Sequence, residues 1–164
     1  MQHLTNRLRR GAAALAVAAA LPVLSGCASN FDSQVQQPYT PGIGVYDKSG
    51  TAQGFNMVIV ANGEGSGTLV ATMLNEGEET DTLTGVEVET EGDRTIAAEL
   101  TEEVKLPPEQ LVQLHESQAV TFSGEGMRPG WFVELTLEFA TGEPIVRRVP
   151  IESHTGPYAE IIIP

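Results

Sequence analysis

Few side chains in these 164 residues offer chemistry beyond that of carboxylates. They are one cysteine, Cys27, three histidines, His3, His115 and His154, and the soft sulfurs of Met57, Met73 and Met127. A nucleophile needs an adjacent base, and neither His115 nor His154 sits in a motif with a serine or an acid. Imidazole and thioether donors together suit Cu(I), but the scattered spacing of His115, His154 and Met127 makes no ligand set. Met73 falls on the apolar face of a strand, where a flexible thioether fills core. Met127 falls in a glycine-rich loop, 124–130, where exposure is expected.

Glu76, Glu78, Glu79 and Asp81 bring four carboxylates into six residues. Such oxygens can hold Ca²⁺, but the expected reading is a solvated turn. Gly63-Glu64-Gly65-Ser66-Gly67 lacks the following lysine and helix that a phosphate cradle requires, and reads as a hairpin loop. No pair of Asp or Glu is singled out for glycoside chemistry. The expectation is a protein that is not an enzyme and carries no cofactor and no resident metal.

Cys27 acquires meaning from what precedes it. Arg7, Arg9 and Arg10 form a basic start, and Gly11 to Val23 is an uncharged run of 13 residues. A membrane span needs about 20, so the run fits the apolar core of an export signal. Leu24-Ser25-Gly26-Cys27 matches the lipobox of bacterial lipoproteins. That resemblance implies cleavage between Gly26 and Cys27 and a diacylglyceryl group on the Cys27 sulfur. One acyl chain binds a bilayer marginally, whereas two hold it firmly. The expected location is the cell membrane, lipid-anchored on its extracytoplasmic face.

With the signal removed, six of the nine basic residues remain against all 22 acidic ones, a net charge of −16. No basic patch is left to neutralise phosphates, which excludes nucleic acid as a partner. No second cysteine exists to form an intrachain disulfide, so stability must come from a core.

The order of segments follows. Residues 1–26 are the signal. Residues 27–54, broken by glycine, proline and glutamine, read as a tether with an r.m.s. span of about 25–30 Å; Ile43 to Tyr46 are its apolar part. Residues 55–152 carry apolar runs and period-two alternation at turn-punctuated intervals, the mark of an antiparallel β-sandwich of immunoglobulin-like kind. The clearest is Trp131 to Ala140, where Trp131, Val133, Leu135, Leu137 and Phe139 alternate with Phe132, Glu134, Thr136 and Glu138. Residues 153–164 form a tail whose Ile161-Ile162-Ile163 would either pack on the domain, as an edge strand for example, or dock on a partner.

Val70 to Val86 (a strand, an acidic loop and a strand), Val104-Lys105-Leu106-Pro107-Pro108, and the closing strands Trp131–Phe139 and Val146–Ile151 together resemble the PCu(A)C-type periplasmic copper chaperones. LpqE-like lipoproteins resemble the chain further through the anchored tether. The resemblance spans 55–152 and implies a cupredoxin-like sandwich. It also implies an H-x-M copper motif at Val120 and Phe122 and an earlier family histidine near Ala97, and none of these side chains can donate to a metal. Copper is therefore not expected. The reading is a non-catalytic binding or accessory module contacting an envelope protein or glycan; the alternative is a copper chaperone with a site rebuilt from Met127, His115 or His154.

Overall fold

The computed structural model describes residues 43–164. The signal, the cleavage point Gly26–Cys27 and the lipid anchor at Cys27 lie outside the described residues. Ten strands make the fold: β1 Val45–Asp47, β2 Ala52–Ala61, β3 Ser66–Asn75, β4 Asp81–Glu89, β5 Ala97–Leu100, β6 Val104–Leu106, β7 Leu111–Gln113, β8 Val120–Ser123, β9 Phe132–Phe139 and β10 Ile145–Ser153. The only helical element among the described residues is a 3₁₀ turn, Gly156–Tyr158.

The strands follow one curled path, β5-β8-β3-β2-β10-β9-β4-β6, with β1 added on β2 and β7 on β3. The expected β-sandwich is present. Strand β10 joins its two layers. Residues Ile145 to Pro150 pair antiparallel with β9, and Ile151 to Ser153 pair with Ile59 to Ala61 of β2. Pro150, which has no N–H to give a ladder, sits where the strand changes partner. The β2–β10 pairing is parallel, so the sheet is mixed where a wholly antiparallel one was expected. Local alternation does not report the direction of a distant partner, which explains the difference.

Burial accounts for the sequence patterns. Strand β2 lies between β3 and β10 and is buried on both faces, hence its unbroken apolar run. Met57, Ile59 and Ala61 enter the main core with Leu69, Ala71, Met73, Leu135 and Leu137. Val58 and Val60 face the other way and, with Val70, form a second cluster covered by Tyr158, Ile161 and Ile163. The tail thus packs on its own domain through a 3₁₀ turn and an irregular end, not as an edge strand.

Two of the register shifts bear on the core. Asn56 takes a left-handed φ of 53° where the β2–β3 pairing shifts between Phe55 and Val58, a bulge. The β4–β9 pairing shifts between Leu83 and Gly85, which lets both Leu83 and the later Val86 and Val88 contact the core.

Folded structure also begins earlier than the expected tether boundary at 54. Gly44 lies against the Asn56 backbone so closely that a Cβ would collide with it, and Val45 and Asp47 pair with Met57 and Gly54. A three-residue strand has no measurable period, so the sequence hid it.

Candidate functional site

Of the three positions that the resemblance assigns to copper, the two of the H-x-M motif are closed core and Ala97 is exposed. Val120 is fully buried and Phe122 is 3% exposed on β8. Ala97 opens β5, paired with Ser123 beside Phe122. No nitrogen, oxygen or sulfur of these three side chains exists to bind a metal.

The remaining soft donors are spread along the fold. Met127, expected on an exposed loop, is 3% exposed. Its terminal methyl fills the space where a Gly67 side chain would stand. His154 is anchored by its N–H, which donates to the Ala61 carbonyl at 3.0 Å, and Ala61 pairs with Gly67. Next to His115, the Leu114 N–H donates to the Ala71 carbonyl at 3.0 Å. Four residues of β3 separate Gly67 from Ala71, about 13 Å at ~3.3 Å per residue. Register therefore holds the backbone at His115 apart from that at Met127 and His154. His115 Nδ1 and His154 Nε2 are both buried without a hydrogen-bond partner.

The acidic loop does not gather its carboxylates. Glu76, Glu78 and Glu79 are exposed, while Asp81 is 4% exposed and turned inward. Asp81 accepts the N–H of Thr82 at 2.8 Å, of Thr141 at 3.0 Å and of Gly142 at 2.9 Å. Burial pushes its carboxyl up, but these bonds and the Thr141 hydroxyl outweigh that and hold it below the ordinary value. Asn75 closes the loop from the other side, donating to the Glu79 carbonyl at 2.7 Å and the Leu106 carbonyl at 2.8 Å. No group of three or more His, Cys, Asp or Glu placed to hold a metal occurs among the described residues.

A concave site lies at another end of the sandwich. A cleft of about 490 Å³ is lined by residues 93–95 of the β4–β5 loop, 124–126 and Arg128 of the β8–β9 loop, and Trp131. The two loops cross tightly: the Gly126 N–H donates to the Thr95 carbonyl at 3.4 Å, and a Cβ on Gly124, whose φ is 142°, would strike the Thr95 carbonyl. Half-buried Trp131 is held from β10, its carbonyl accepting the Ile151 N–H at 2.7 Å. Two guanidiniums lie over its ring, Arg94 at 4.3 Å and Arg128 at 5.2 Å from the centroid. Arg94 is fixed further by its Nε, which donates to the Glu91 carbonyl at 2.6 Å. Beside the cleft, Arg148 lies 5.3 Å from the Phe132 centroid and pairs with Glu91 at 3.2 Å.

This cleft was not singled out from the sequence. The available signals were that Trp131 is the sole tryptophan and that Arg94, Arg128 and Arg148 are three of the six cations after Cys27. Only the fold brings Arg94 to Arg128 and Trp131, which share one loop.

No family model matches the chain, and no curated protein does. Solved structures do. The apo PCuAC domain from PmoF1 superposes with a TM-score of 0.52 at 24% identity, covering 66% of this chain and 99% of that domain. The copper-bound PCuAC domain from PmoF2 gives 0.52 at 20% identity, covering 66% and 98%. The described part of the chain therefore has the fold of a PCuAC domain.

Proposed function

We propose that the chain is an extracytoplasmic lipoprotein, held to the membrane by a diacylglyceryl group on Cys27, whose PCuAC-like sandwich works as a non-catalytic binding module of the cell envelope. The observation that carries the binding-module reading is the closed core at Val120 and Phe122, the positions assigned to the family's H-x-M motif. The anchor rests on the lipobox and the signal before it. Membrane extraction and mass spectrometry of the mature N-terminus test it. A chain beginning at diacylated Cys27 supports the reading, and an uncleaved start or a free Cys27 thiol removes it.

A second reading is copper carriage. It is favoured by the likeness in fold to a PCuAC domain solved with copper bound. The unpartnered Nε2 of His154 adds to it. On this reading His154, with Met127 or His115, would have to supply donors after a local rearrangement, because Met127 is core and His115 is anchored elsewhere. A Cu(I) titration separates the two readings.

A further inference from the structure

We propose that the cleft at Arg94, Arg128 and Trp131 is a binding site for a single oxyanion group, a carboxylate or a phosphate, on a small ligand. In a chain of net charge −13, arginines are expected to be claimed by carboxylates. Arg94 and Arg128 are not: the ion pairs among the described residues are Arg147–Asp47 and Arg148–Glu91. Both guanidiniums instead lie over one indole ring. Stacking on an aromatic face leaves the edge N–H groups of a guanidinium free, and that planar fork matches carboxylate and phosphate oxygens.

The site is built before any ligand arrives. The Arg94 Nε–H is committed to the Glu91 carbonyl, which orients the plane and leaves its two terminal amino groups available. The Arg94 carbonyl accepts the Thr90 hydroxyl at 2.6 Å. The Trp131 N–H donates to the Arg128 carbonyl at 3.2 Å, tying the second arginine to the ring it covers. Preorganisation of this kind lowers the ordering cost of binding. The cleft volume, about 490 Å³, lies within the range of small-ligand sites.

The lining also limits what can bind. Asp93 and Glu125 share the cleft and pair with neither arginine. They would repel a long polyanion while leaving room for one oxyanion flanked by neutral or cationic groups. The ligand class is therefore a monocarboxylate, such as an acidic sugar, or a phosphate monoester.

Trp131 is the chain's sole tryptophan, so tryptophan emission reports on the surroundings of this ring. The full chain is titrated with inorganic phosphate and, separately, with glucuronate, against sodium chloride of matched ionic strength. The expected result is a saturable change in emission with one of the two at concentrations up to about 10 mM, the responding arm naming the oxyanion. Arg94→Gln and Arg128→Gln should each weaken it by about tenfold or more. Arg94→Lys, which keeps the charge and loses the fork, should also weaken it. Lys105→Gln, an exposed cation on β6, should leave it unchanged. Circular dichroism of each variant checks that it has folded. A response no different from sodium chloride in both arms overturns the proposal, as does one that folded arginine variants retain in full. The readout is independent of copper and of Cys27, so this inference and the binding-module reading can fail separately.

Discussion

The Arg147 guanidinium lies 2.9 Å from the carboxylate of Asp47, tying the sheet-switching strand β10 to the short strand β1. The Asp47 side chain is 1% exposed and that of Arg147 is 41% exposed. Asp47 also accepts the Ser49 N–H at 2.8 Å and the Ser49 hydroxyl at 2.6 Å. The two ends of the bridge are therefore unequal. Asp47→Ala removes the buried charged acceptor of both Ser49 bonds and of the ion pair and should cost about 2 kcal/mol, whereas Arg147→Ala leaves Asp47 bonded to Ser49 and should cost about 1 kcal/mol or less. Urea denaturation at pH 7 measures both. Equal and negligible losses would mean that residues 45–49 contribute nothing to the folded domain.

Acid should reveal the two buried aspartates. Burial raises the Asp47 carboxyl, but Ser49 and Arg147 outweigh it, and its folded value lies below the ordinary one, as for Asp81. A depressed folded value gives stability that is present above the unfolded value, about 3.9, and is lost as pH falls through the folded one. Wild-type stability should thus decline below about pH 5. Asp81→Asn should be less stable at pH 7 by about 2–3 kcal/mol, because a charged acceptor of three N–H groups is lost. Its stability should also fall less steeply with acid, as read from urea midpoints between pH 7 and 3.

Met127 should behave as core. Met127→Ala empties the volume beside Gly67 and should destabilise the chain by about 2–4 kcal/mol. Met127→Leu, which keeps the volume, should cost under about 1.5 kcal/mol. Thermal unfolding of the two variants distinguishes packing from a ligand role, for which Leu would be as damaging as Ala.

Removal of residues 155–164 should uncover Val58, Val60 and Val70. Their present cover is Tyr158, Ile161 and Ile163, and the Tyr158 phenol is pushed up by burial and by Glu152. The truncated chain should melt at a lower temperature and bind a hydrophobic dye more strongly. An unchanged melting temperature would release the tail for docking on a partner.

Strands were the legible part of this sequence. Trp131 to Ala140 alternates because β9 has one wet face, and Phe55 to Ala61 is continuous because β2 has none. The longer strands β2, β3, β4 and β9 follow such local patterns. What depends on distant pairing was not legible: β1, the parallel pairing of β10 with β2, and the parity change after Leu83. Burial of Met127 was hidden for the same reason, since Gly67 lies 60 positions away along the chain. The cleft was hidden because Arg94 belongs to the β4–β5 loop, while Arg128 and Trp131 belong to the β8–β9 loop.

The measurement that bears most directly on the central claim, a PCuAC-like fold without donors at the expected copper positions, is a competition titration of the full chain with Cu(I) and a chromophoric chelator. The account predicts that the chelator keeps the copper and that His154→Ala and Met127→Leu change nothing. Sub-micromolar binding that either substitution abolishes would contradict it and establish a rebuilt copper site.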